Sequence, residues 1–204
     1  MPKDTFFNLS DDKKNRILSI VIDEFACNDY KNVSISRIVK DASIAKGSFY
    51  QYFEDKKDLY QYLIHKISEK KLEYLSRYMA QSDGIDFFEF LKSLLIASIV
   101  FSKDNPKFSK IAERLIKGDD AIKKDVLGQS ELDGVTLYES LLKQGVQEGK
   151  LNKNIDIRIT AIMIASMGSA VIEYVMNHNE DGDYKTYVPY IDQVIEVLKR
   201  GIQV

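Results

Sequence analysis

"SIAKGSFYQYFEDKKDL", residues 43–59, sets a glycine beside a lysine, follows the pair with aromatics at 49, 50, 52 and 53, and holds no carboxylate before Glu54. Phe49 and Phe53 are four residues apart, so a helix over this stretch turns both rings to one side, into a small core. Lys46, Gly47 and Tyr50 share the opposite side. Gly47 costs up to about 1 kcal/mol against alanine inside a helix, and close approach of the backbone to another chain explains tolerating it. Lys56 and Lys57 stand at the positive end of the next helix. That placement is unfavourable by about 0.3–1 kcal/mol each, unless a phosphate binds where dipole, amides and ammonium groups cooperate.

Working upstream, Ser34 caps a short helix whose Ile35, Ile38, Val39 and Ala42 face inward, and a turn over 42–45 joins it to the quoted stretch. Before it, Leu18, Val21, Ile22 and Phe25 mark one face of a helix that begins near Ser10 or Asp11 and stops near Asn28 and Asp29. Two short helices across a tight turn, packed on a third, make a helix-turn-helix unit, the arrangement that places a helix in the DNA major groove.

Downstream, Asp55 caps a long helix with Asp58 one turn in, and Leu59, Leu63, Ile67 and Leu75 carry its apolar face to about Met79. At 1.5 Å per residue such a helix spans roughly 36 Å, enough to connect two bodies. After Ser82-Asp83-Gly84 comes a greasier helix with Phe87, Phe88, Leu91, Leu94, Leu95, Ala97, Ile99 and Phe101. Pro106, Gly118 and residues 128–134 divide the middle into shorter helices. Further helices are predicted from about Val135 to Gly149, from Asp156 to about Asn177, and from about Tyr187 to Ile202. No segment alternates with period two, so the predicted class is all-α.

Composition narrows the function little. With 29 Lys+Arg against 31 Asp+Glu the net charge is -2, so any DNA contact must come from a local patch. Cys27 stands alone, which excludes an intrachain disulfide and favours a cytoplasmic location. The charged N-terminus reads as no signal peptide, and the longest apolar stretches, around Leu94 to Phe101 and Ala161 to Met167, contain Ser and are too short to span a bilayer. No cofactor or metal set is recognisable. His65 and His178 are isolated, and "NHNEDGD", residues 177–183, starts like a calcium loop with Asn177, Asn179, Asp181 and Gly182 but puts Val188 where the bidentate Glu belongs. With no phosphate loop or nucleophile elbow, nothing requires an enzyme.

The segment from Ile38 and Ala42 through "IAKGSFYQYFEDKKDL" resembles the signature of the TetR/AcrR repressors, in which the helix-turn-helix ends in a Lys-Gly-small-apolar-Tyr-x-Tyr/His-Phe run followed by a Lys and a Leu. "ILSIVIDEFACNDY" is similar to that family's opening helix, Val33-Ser34-Ile35-Ser36 to the entry of its second, and "GVQEGKLNKNID" to a turn its members often carry between their seventh and eighth helices. Residues 10–60 carry the motif. The resemblance implies that Ser34, Lys46, Gly47, Ser48, Tyr50, Tyr52 and Lys56 lie at the DNA surface, with Lys46 and Tyr50 in or beside the major groove and Ser34, Tyr52 and Lys56 on phosphates. Two departures stand out. Ser43 replaces a frequent turn glycine, and Ala45 replaces the Ser or Thr that would cap the recognition helix.

The resemblance also implies the division of labour: a DNA-binding domain over 1–54, and a helical ligand-binding and dimerisation domain over 55–204 with the connecting helix at about 55–79. Phe87, Leu91, Phe101, Phe108, Ile111, Leu115, Tyr138, Leu142, Met163, Met167 and Tyr174 are the candidate walls of a pocket for a small, mainly hydrophobic effector. Small residues Ala161, Ala165, Gly168 and Ser169, with Ile172, and the stripe Ile191, Val194, Ile195, Leu198 and Ile202 form a seam, either within the chain or, as the family implies, across a homodimer. The expected protein is a sequence-specific transcriptional repressor released by its effector from a palindromic operator in double-stranded DNA. Rival readings are a helical enzyme or lipid-binding module, and a non-specific architectural DNA binder.

Overall fold

The computed structural model describes residues 1–79, 86–127, 134–178 and 186–204. Its elements are α1 (Asp4–Phe7), α2 (Asp11–Cys27), a 3-10 turn (Tyr30–Asn32), α3 (Ile35–Asp41), α4 (Lys46–Tyr52), α5 (Lys56–Met79), α6 (Phe87–Asp104), α7 (Pro106–Lys117), α8 (Asp120–Leu127), α9 (Gly134–Gln147), α10 (Ile157–His178) and α11 (Val188–Ile202). The all-α class is as expected, and among the described residues the only extended pairing is a bridge between Leu151 and Gln203. Most of the calcium-like stretch lies outside the described residues.

Two compact units divide the chain. The first comprises Met1–Lys70 and Asn105–Gln129, the second Lys71–Asp104 and Ser130–Val204. The partition therefore falls inside α5, not at residue 54, and α7 and α8 cluster with the helix-turn-helix.

In the first unit, α2 buries Ile17, Val21 and Phe25, with Leu18 and Ile22 only half-buried. Ser34 Oγ accepts the Arg37 amide at 3.3 Å and so caps α3. α5 starts from a reciprocal pair: Asp55 accepts the Asp58 amide at 2.8 Å, and Asp58 accepts that of Glu54 at 3.0 Å. The sequence marks no helix over residues 1–9. They form α1 and seat Phe6, fully buried, against the rings of Tyr52, Phe53 and Tyr62.

The second unit gathers Phe88, Leu91, Leu95 and Ile99 of α6, Leu142 of α9, Ala161 and Ile164 of α10, and Ile191, Ile195 and Leu198 of α11 into one core. Gly149, at φ 72°, turns the chain out of α9, the left-handed exit that glycine makes without strain. α10 is the unusual element. Its window Ile157–Tyr174 reaches a mean hydropathy of 1.3, long and apolar enough to cross a membrane, and is longer than the 161–167 stretch counted from sequence. Only 22% of that window is buried, so the helix has far more apolar surface than its own chain covers.

Candidate nucleic-acid interface

The helix-turn-helix is set by the turn between α3 and α4. Ser43 takes φ 52°, the left-handed conformation for which a glycine is usual, and the amide of Ile44 closes on the Val39 carbonyl at 3.0 Å. α3 is fixed to α2 by Arg37, whose guanidinium donates twice to Glu24 at 3.0 Å and to the Asn32 carbonyl at 2.7 Å. Burial alone would raise the Glu24 carboxyl. Hydrogen bonds from Arg37 and the Ser34 amide, with the charges of Arg37 and Lys56, outweigh it and hold the group below its ordinary value of 4.5.

α4 presents two faces. Phe49 and Phe53 are buried, while Lys46, Gly47 and Tyr50 are exposed and Ser48 is half-buried. A Cβ on Gly47 would meet nothing within 4 Å. The fold itself thus gives no steric reason for glycine at this position.

Two of the expected DNA contacts are placed elsewhere. Tyr52 is 6% exposed, packed on Phe6 with the Lys13 ammonium 6.0 Å from its ring centre. Positions 49, 52 and 53 fall on one helical face, so Tyr52 belongs with the two phenylalanines. Lys56 folds back over the 3-10 turn and gives its ammonium to the carbonyls of Tyr30, Lys31 and Val33 at 2.7, 3.4 and 3.2 Å. An ammonium has three donors, and all are used within the fold. Burial, opposed by the Glu24 charge, pushes the Lys56 pKa down. Ser34 accepts from Arg37 through its hydroxyl while its amide donates to Glu24 at 2.8 Å. What remains outward is Lys46, Gly47 and Tyr50, with Ser48 beside them.

The family model for "Bacterial regulatory proteins, tetR family" matches residues 17–63, from α2 into α5. A solved TetR family transcriptional regulator from Chloroflexus aurantiacus J-10-fl is 31% identical, with 100% of this chain and 99% of that chain covered and a TM-score of 0.75. The chain belongs to the TetR family of transcriptional regulators. This TetR-family protein is a DNA-binding regulator. It is also similar to the "Fatty acid metabolism regulator protein" of Bacillus subtilis, 24% identical over 193 residues, 93% of this chain and 95% of that protein. The solved FadR of Bacillus subtilis in complex with stearoyl-CoA is 21% identical over 90% of this chain and 96% of that one, with a TM-score of 0.69.

The candidate effector walls of this TetR-family chain are scattered. Phe108, Ile111 and Leu115 belong to the first unit and the rest to the second. Leu91, Phe101 and Leu142 are buried, Phe87 and Met167 half-buried, and Met163 and Tyr174 are about half exposed. Tyr138, packed against the core of the second unit, has its pKa pushed up to about 12 by burial. In the first unit a cleft of about 570 Å³ lies between Tyr30, Tyr60 and α7. Its cations are already matched: Lys31 by Asp119, Arg114 by Asp29, and Lys110 and Lys117 by Glu113.

The small-residue stripe of α10 faces its own chain. A Cβ on Gly168 would stand 2.9 Å from Leu95 of α6, and Ala161, Ile191, Ile195 and Leu198 are buried in the same core. Ala165, Ile172 and Val194 are half-buried, and Ser169 is exposed with its hydroxyl on the Ala165 carbonyl. The seam is the intrachain alternative for Ala161, Gly168, Ile191, Ile195, Leu198 and Ile202. The open face of α10 carries Ile159, Ile162, Met163 and Tyr174 instead, with Val197 and Tyr190 exposed on α11.

Proposed function

We propose that the chain is a homodimeric repressor, acting on cytoplasmic DNA, that leaves a palindromic operator when a ligand with a fatty acyl chain binds. The observation that carries it is the pairing of two faces: an outward face on α4 that keeps a costly glycine, and an apolar face on α10 and α11 that its own chain leaves open. A protein reading two half-sites one helical turn apart needs a two-fold partner, and Ile159, Ile162 and Met163 recur at helical spacing on the open face. Similarity to a fatty acid metabolism regulator and to a FadR with stearoyl-CoA supports the acyl class. The second unit adds a mainly apolar interior, against which the half-buried Tyr138 packs.

In this reading Lys46 and Tyr50 touch base edges or the groove wall, Ser48 and Ser34 reach phosphates, and ligand binding shifts the spacing of the two α4 helices through α5, the helix that runs from one unit into the other. Selection of bound sequences from random DNA, followed by titration of the selected duplex with acyl-CoA thioesters of graded length, tests it. A palindrome lost on titration with the longer thioesters supports the proposal. Broad binding without a palindrome supports an architectural protein, and retention of the operator at saturating thioester removes the acyl effector.

A further inference from the structure

The recognition helix α4 is seven residues long, and a helix that short does not hold itself in water. Its last turn leaves four carbonyls without intrahelical partners unless something caps them. Phe49 O accepts the Phe53 amide at 2.8 Å. The other three are closed from the N-terminal segment: Tyr50 O by the Lys3 ammonium at 3.0 Å, Gln51 O by the Thr5 hydroxyl, and Tyr52 O by the Lys3 amide at 2.8 Å. The Lys3 ammonium also pairs with Glu54 at 3.0 Å, placing a positive charge at the negative end of the α4 dipole. Phe6, wholly buried against Tyr52 and Phe53, fixes the segment where these donors reach.

Resting on the reading of α4 as the recognition helix, we propose that Lys3, Thr5 and Phe6 are positioning residues for DNA recognition: the N-terminal segment is the missing C-cap of α4 and holds Tyr50 and its neighbours at the angle the operator requires. The donors act on backbone carbonyls in the last turn of α4, so their effect falls on specific contacts. Binding to the phosphate backbone depends on charge, which a neutral substitution at Thr5 leaves unchanged.

Thr5→Val deletes the hydroxyl at nearly constant volume. In the full chain, affinity for the selected operator is expected to fall about three- to tenfold, the scale of one lost hydrogen bond. Affinity for random duplex DNA, and the salt slope of that binding, stay at wild-type values, and Thr5→Ser restores the operator affinity. Hydrogen exchange at the amides of Gln51, Tyr52 and Phe53 is expected to quicken in Thr5→Val. Equal losses on operator and random DNA, or unchanged operator affinity with unchanged exchange, overturn the proposal. Tyr50→Ala in the same assay separates the premise from the inference. If it leaves operator affinity intact, the assignment of α4 falls; if it weakens the operator while Thr5→Val does not, the N-terminal cap alone falls.

Discussion

The Lys56 ammonium lies 4.6 Å from the centre of the Tyr30 ring and donates to the carbonyl of the same residue at 2.7 Å. One side chain thus ties the start of α5 to the turn that precedes α3. Lys56→Met keeps the stem and removes the donors, leaving three carbonyls to find water. The expected loss is about 1–3 kcal/mol in urea unfolding. Because the ammonium is spent inside the fold, the salt slope of DNA binding should stay within error of wild type. A slope smaller by about one unit would instead return Lys56 to the phosphate.

Gly47 separates stability from function. With open space where its Cβ would go, Gly47→Ala should raise protein stability by up to about 1 kcal/mol and lower operator affinity, since a methyl now stands where the helix approaches DNA. Thermal unfolding and operator titration of the same preparation check both halves. A stabilised variant with undiminished operator binding would place the DNA elsewhere on α4.

Ser43 carries backbone strain that the sequence flagged by its departure from glycine. A non-glycine residue in the left-handed region costs about 1–2 kcal/mol, partly offset by the entropy glycine loses on folding. Ser43→Gly is therefore expected to raise the unfolding free energy measured in urea by roughly 1 kcal/mol, and Ser43→Val to lower it, with α3 and α4 otherwise unchanged.

Acid should act through Glu24. Its folded pKa lies below the ordinary 4.5, so the stability it contributes is fully present above about pH 4.5 and is lost as pH falls through the lower folded value. Glu24→Gln should be less stable than wild type at pH 7 and should lose less on acidification. Urea midpoints between pH 7 and pH 3 report the difference, and parallel curves for the two proteins would dissociate Glu24 from the acid limb.

The helix pattern was legible because caps and breakers sit in sequence where the helices end: Ser10, Ser34, Asp55, Pro106 and Gly149 all mark observed boundaries. Faces were harder. Tyr52 shares the helical period of Phe49 and Phe53, and that period, rather than the motif order, tells where it goes. On α10 the period cannot decide, because the helix is apolar nearly all round; Gly168 sits against Leu95 and Ala161 and Ile164 are buried, while Ile159, Ile162 and Met163 are exposed. The cap supplied by Lys3 and Thr5 had no sequence sign at all. It is made to backbone carbonyls, which every residue possesses.

The open face of α10 gives the sharpest contrast between protomer and dimer. Gly168→Leu drives a side chain into Leu95 within the chain, so overpacking of about 1–3 kcal/mol should lower stability at every protein concentration. Met163 is 54% exposed and Ile162 41%. In a dimer joined through this face, Met163→Glu buries a carboxylate without a partner, which costs far more than the apolar contact it replaces. It should leave the fold of the protomer intact, shift sedimentation from dimer to monomer at micromolar concentration, and abolish two-fold operator binding. If Met163→Glu remains dimeric and Gly168→Leu dissociates instead, the subunits meet through the small-residue stripe, and α6 must give it up on assembly.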